Sequence, residues 1–129
     1  MNGAVTGRLI DGGNATIYVT EMDRSVRFYT DTLGLRLALR AGDDWASIDA
    51  GKGLTLGLHV APEGAPRPGQ PGAITVGLAV SQPIEEVVGT LRERGVPFRG
   101  PVVDQGFVKL AFFADPDGNP LYLAETPGA

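Results

Sequence analysis

The chain predicts an α+β protein of two tandem βαβββ modules that form a curved sheet cup with helices on the outer face. Three observations carry that expectation. Period-2 alternation at 14–20 and an apolar strand-like run at 74–80 are each followed by a helix-period stretch, a glycine and three further strand-like runs. The two halves register, because Val19 and Val80, Val26 and Val87, Gly34 and Gly95, and Leu35 and Val96 are each 61 residues apart. Between the halves, residues 61–73 hold four prolines and three glycines, the composition of a linker. The reading is one domain over residues 1–129, with module one at about 14–60 and module two at about 74–124.

The elements follow in order. Residues 1–13 are Gly-rich and small, a loose arm or short cap. Ala15, Ile17 and Val19 alternate with polar neighbours as a half-buried strand does. Asp23 or Thr20 is placed to cap a helix with Val26, Tyr29 and Leu33 on its apolar face, and Gly34 stops it. Strands are expected at 35–40, 45–49 and 54–60, separated by Gly-Asp-Asp and Gly-Lys-Gly turns. In the second half a strand at 74–80 leads to a helix opened by Gln82-Pro83, with Ser81 or Gln82 near its cap and Pro83 at its first position. Val87, Val88 and Leu91 form its apolar face and Gly95 ends it. Strands at 96–103, 107–114 and 120–124 complete the chain. The last two are joined by Asp115-Pro116-Asp117-Gly118-Asn119, whose residue types suit a tight turn.

Composition limits the function. The length is enough for one hydrophobic core, and the 43% hydrophobic, 20% charged balance is that of a globular domain. A net charge of -4 argues against nucleic acid and anionic membrane surfaces as partners. With no cysteine there is neither a disulfide nor a thiolate metal site. No apolar run reaches the roughly 18 residues of a membrane span, and no signal-like segment opens the chain, so the cytoplasm is the expected location. The Asn14-Ala15-Thr16 sequon is discounted for the same reason.

Alternation also assigns faces. Ile17 and Val19, Leu35, Leu37 and Leu39, Leu54, Leu56, Leu58 and Val60, Ile74, Val76, Leu78 and Val80, Val108, Leu110 and Phe112, and Leu121 and Leu123 are expected to meet the helices. The opposite set is mixed, including Asn14, Trp45, His59, Thr75, Phe107, Phe113 and Tyr122. Such a face is either a solvated or partner-covered surface or a pocket; scattered aromatics with a few polar groups are what small-molecule sites use. Arg36 and Arg40 are read as solubilising residues of an edge strand. Asp115, Asp117 and Asn119 have the spacing of a calcium loop, but Pro120 stands where that loop needs glycine and Thr126 where it needs glutamate.

Two segments in this frame are familiar. Val19-Thr20-Glu21-Met22-Asp23-Arg24-Ser25-Val26-Arg27-Phe28-Tyr29 with Leu33-Gly34-Leu35, and later Phe113-Ala114-Asp115-Pro116-Asp117-Gly118-Asn119, resemble the vicinal oxygen chelate superfamily of glyoxalases, bleomycin-resistance proteins and extradiol dioxygenases. The resemblance covers residues 14–124. It implies a divalent metal in the cup, with ligands falling at Asn14, Thr75, Tyr122 and near Leu56 or Gly57. None of these is a usual ligand, and Tyr122 stands where a glutamate is expected.

The resemblance therefore points to a metal-free small-molecule binder of the bleomycin-resistance type, without a cofactor. Trp45, Phe107, Phe113 and Tyr122 would stack on an aromatic antibiotic or metabolite, while Asn14, Thr75 and His59 would hydrogen-bond it. It also implies a homodimer. The enzymatic alternatives are a lyase or dioxygenase with an atypical metal site around His59, the only histidine, or a metal-independent enzyme using His59 or Tyr122 as acid or base.

Overall fold

The computed structural model describes residues 13–70 and 74–125. Residues 1–12 of the expected arm lie outside that range, as do 71–73 of the linker and 126–129, and Gly13, expected in the arm, opens the first strand instead. The first half runs β1 (Gly13–Val19), α1 (Met22–Arg27), a π-helical turn (Phe28–Thr32), β2 (Arg36–Ala41), β3 (Trp45–Asp49) and β4 (Leu54–Val60). The second runs β5 (Val76–Ala79), α2 (Ile84–Glu93), β6 (Val103–Asp104), β7 (Lys109–Ala114) and β8 (Pro120–Glu125). Each half makes one four-stranded mixed sheet, ordered β1-β4-β3-β2 and β5-β8-β7-β6. In both, the first strand lies parallel to the last and the other pairs are antiparallel. The duplication read from the 61-residue offset is thus present in the topology.

The helices begin and end for identifiable reasons. Glu21 caps α1, its carboxylate accepting from Arg24 N at 3.1 Å. The two expected caps are engaged elsewhere: Asp23 pairs with Arg40 at 2.7 Å, and the Thr20 hydroxyl bonds to Asp117. Pro83 sits at the cap of α2, one position earlier than expected. It has no side-chain hydrogen bond to offer, and Glu125 at the end of β8 accepts from Ile84 N instead, at 2.6 Å. Gly34 and Gly95 follow the two helical segments at φ of 81° and 91°, a conformation an L side chain resists.

The core lies between each sheet and its helix. Ile17, Val19, Ala46, Ile48, Leu56 and Leu58 meet Met22, Val26 and Tyr29; Val76, Leu78, Ala111, Phe113, Leu121 and Leu123 meet Ile84, Val88 and Leu91.

Three expectations are corrected. On β2 the pairing slips between Leu37 and Leu39, so Leu37 stands opposite Ile48 but Leu39 opposite Ser47. The bulge reverses parity. Leu39 is turned out, 59% exposed, and Arg40 turns to the helix side to reach Asp23, so it is an inter-element ion pair rather than a solubilising residue. On β7 the core parity is the opposite of that expected: Ala111 and Phe113 are buried, while Phe112 is exposed beside Tyr122. Residues 96–103 do not form a strand. Pro97 and Pro101 lack an amide donor and Gly100 has φ of 80°, leaving one bridge, Phe98 to Phe113, before the short β6.

The Asp115–Asn119 turn locks the two halves together. Asp115 Oδ1 accepts from the amides of Asp117 (3.0 Å) and Asn119 (2.8 Å). Its Oδ2 accepts from Asn119 Nδ2 and from the Tyr29 hydroxyl of the first half, both at 2.9 Å. Asn119 Nδ2 also donates to the Tyr18 carbonyl, and Asn119 Oδ1 accepts from Gly69 N. Asp117 takes Arg24 at 2.9 Å and the amide of Thr20. Burial pushes the Asp115 carboxyl above its ordinary range although its hydrogen bonds pull the other way. Burial, reinforced by Asp115, likewise raises the Tyr29 phenol, which stays a neutral donor. The linker joins this lock at Gly69, whose amide bonds Asn119 and where a side chain would strike the Asp117 carbonyl.

Candidate functional site

The face of each sheet that turns away from its helix carries the candidate site. On the first sheet the residues gather around Gly57. Trp45, from β3, lies across this glycine: a Cβ there would fall 2.7 Å from Trp45 Cζ2 and 2.9 Å from Asn14 Nδ2. The indole N–H donates to Ser47 Oγ at 3.0 Å, so the ring is tethered along its own strand. The His59 ring stands between Trp45 and Tyr18, edge-on to both, with centroids 5.9 Å away in each case. His59 Nδ1 lies 2.6 Å from the Val60 carbonyl, which only accepts, so Nδ1 carries the proton. In the neutral ring Nε2 is then an acceptor.

On the second sheet the same device recurs with other residues. Tyr122 of β8 is directly opposite Gly77 of β5 and lies over it; a Cβ at Gly77 would be 2.5 Å from the Tyr122 hydroxyl oxygen. Phe112 flanks Tyr122 at 6.0 Å between centroids. Both glycines sit in the middle of strands, where a side chain is normally useful for packing. Here its absence makes room for an aromatic ring against the backbone.

The sequence-derived residues divide accordingly. Asn14, Trp45 and His59 come together on the first sheet. Tyr122 is on the second, with the exposed Thr75 just ahead of β5. Phe113 does not belong: it is 1% exposed, packed against Phe98 at 5.3 Å on the helix side. Phe107 lies in the loop before β7 at 76% exposure, so it is not part of a sheet surface. Phe112, Tyr18 and Ser47 take their place. Phe112 was legible from the hairpin, since directly opposed residues share a face and Leu121 and Leu123 are apolar. Their partners Phe113 and Ala111 must then be core, and Phe112 outward with Tyr122.

The positions that the superfamily resemblance assigns to a metal carry an amide, a hydroxyl, a phenol and a residue without a donor: Asn14, Thr75, Tyr122 and Gly57 or Leu56. This set has neither imidazole nor carboxylate, and the Tyr122 ring is folded onto Gly77, so these residues do not fit a divalent ion. Among the described residues no three His, Asp or Glu side chains come together as a metal site would require.

A tandem βαβββ chain with polar groups and aromatics on the helix-free faces defines a class, and comparison with known proteins makes it specific. Residues 13–123 match the family model for the Glyoxalase/Bleomycin resistance protein/Dioxygenase superfamily. The chain belongs to this family. Among solved structures it is similar to a superfamily member from Sphaerobacter thermophilus, at 27% identity over 91% of this chain and 98% of that one, with a TM-score of 0.76. It is similar to TnmS3, an antibiotic binding protein from Streptomyces sp. CB03234, at 24% identity, 97% and 99% coverage and a TM-score of 0.76. It also shares its fold with lactoylglutathione lyase from Agrobacterium tumefaciens, at 19% identity, 87% and 90% coverage and a TM-score of 0.70. No curated protein sequence matches the chain. Two of these likenesses, an antibiotic binder and a lyase, have one fold and different roles, so function must be argued from the site.

Proposed function

We propose that the protein binds a flat organic molecule, an aromatic antibiotic or metabolite, without a metal, and that it sequesters this ligand rather than transforming it. One observation carries the reading. Trp45 and Tyr122 are each laid over a strand glycine, so each offers an aromatic surface where a metal enzyme of this family needs ligands. Asn14 and Nε2 of His59 supply hydrogen-bonding groups beside the indole, and the exposed Thr75 hydroxyl stands just ahead of β5 on the second sheet. The antibiotic-binding neighbour supports the direction.

A thermal-shift panel of aromatic natural products, with and without divalent metals, tests it. A true ligand at a hundredfold excess over its dissociation constant adds about 2.7 kcal/mol of stability, independent of metal. Trp45→Ala should weaken that ligand by roughly tenfold. Stoichiometric metal in protein purified without chelator would overturn the metal-free reading in favour of a lyase or dioxygenase.

A second reading rests on His59. Its Nδ1–H is tied to Val60 O, which orients Nε2 as an acid–base group would be oriented. It predicts turnover whose pH profile disappears in His59→Ala. The assembly we propose is a homodimer, in which a second copy covers the outward Leu39 and Val103. Sedimentation at micromolar concentration checks this. A cytoplasmic location is in keeping with the absence of cysteine, and no described helix is long and apolar enough to cross a membrane.

A further inference from the structure

The site proposed above leaves two cavities among the described residues unused, and the larger of these carries an inference. It has a volume of about 490 Å³ and opens on the helix side, at the seam between the halves. Phe28 and Thr32 of the first half form one bank. Phe98, Arg99 and Pro116 of the second form the other, and Arg94 projects between them. We propose that this groove is a second binding site, for a planar apolar molecule that carries a carboxylate.

Size and lining give the first half of the argument. The volume is in the range of small-molecule sites, and Phe28, Val96, Pro97, Phe98 and Pro116 give it apolar walls. The walls are rigidly backed. Phe28 stacks edge-on to buried Tyr29 at 5.3 Å, and Phe98 packs on buried Phe113 at the same distance. A flat ligand therefore meets surfaces that need no rearrangement.

Charge gives the second half. The protein has a net charge of -4, yet the exposed charged groups lining this groove are two guanidiniums, Arg94 and Arg99. Arg94 donates one N–H to the Thr32 carbonyl at 2.9 Å, which positions the group and leaves further donors for an anion. The Arg99 backbone is tied to Phe112 O at 2.8 Å, and among the described residues its guanidinium makes no ion pair. The one acid in the lining, Asp115, has both oxygens occupied by four donors and is 5% exposed, so it offers a ligand no acceptor. Guanidinium pairs of this kind suit a carboxylate, which takes two N–H bonds in a plane.

The test uses 2-naphthoate and its neutral amide as probes, followed by amide shifts in two-dimensional NMR. The naphthoate should shift Val96, Phe98 and Ala114, while the amide should bind at least tenfold more weakly. Arg99→Glu should weaken naphthoate tenfold or more; the side chain is exposed, and an unchanged melting temperature confirms that the fold is intact. Trp45→Ala should leave this binding unaltered, which separates the groove from the face bearing Trp45. Shifts confined to Gly57 and His59, equal binding of acid and amide, an unaltered affinity in Arg99→Glu, or no shifts at millimolar probe would each overturn the proposal.

Discussion

The Asp115–Asn119 turn and the face bearing Trp45 treat their polar atoms in opposite ways. At the turn, both Asp115 oxygens and both ends of the Asn119 amide are engaged within the protein, and both residues are buried. Around Gly57 the aromatic rings are only half-buried, and His59 Nε2 and the exposed Asn14 are left for an outside partner. The turn is the most conspicuous motif in the sequence, but its chemistry is spent on holding the halves together. Function is better sought where the chain leaves hydrogen-bonding capacity unused than where it is fully satisfied.

The largest effect should come from breaking the turn. Asp115→Ala strands the Tyr29 hydroxyl and two backbone amides, and should cost about 3 kcal/mol in urea denaturation. A loss below about 1 kcal/mol would mean that the lock is dispensable. Next is the glycine under the indole. Gly57→Ala pushes Trp45 off the sheet, at a cost of about 2 kcal/mol from overpacking. The emission of the single tryptophan should shift with it. Unchanged emission would show that the ring does not depend on Gly57.

Tyr29→Phe sharpens the comparison on the turn side, with an expected loss of about 1 kcal/mol. Its pH dependence has a definite sign. Burial raises the Asp115 pKa in the folded protein, so the folded state keeps a proton that the unfolded chain has already released. The stability from Asp115 is therefore full below its ordinary range and declines as pH rises through the raised value. The Tyr29 hydroxyl restrains that rise, so Tyr29→Phe should lose more stability than wild type between acid and neutral pH. Parallel stability curves would contradict this. The smallest effect serves as a control. Gly89, inside α2, has nothing beyond its chain neighbours and the backbone of its own helix within 4 Å of where a Cβ would stand, so Gly89→Ala should stabilise by about 0.5–1 kcal/mol.

Most of the architecture was legible because it depends on local periodicity and internal repetition. The 61-residue offset foretold two like sheets, and Gly34 and Gly95 end the helical segments as read. Where a face assignment failed, a non-local event intervened. The bulge at Leu37–Leu39 inverted the outer half of β2, and no residue type in that segment announces it. The pairing across the turn set the parity of β7, which exchanged Phe113 for Phe112. A one-residue difference in register moves every side chain of a strand to the other face, so a candidate site drawn from alternation is sensitive to it.

The residues of the Asp115–Asn119 turn established by themselves that the chain reverses there, because proline, glycine and short polar side chains have local backbone preferences. Tandem modules, helix stops and the apolar strands are equally local and were within reach of the sequence. Only the tertiary structure decided that Asp115 would meet Tyr29, 86 positions earlier in the chain, and that Trp45 would lie on Gly57. Such contacts arise from how strands register and halves dock, and they make the turn a clasp between the two halves.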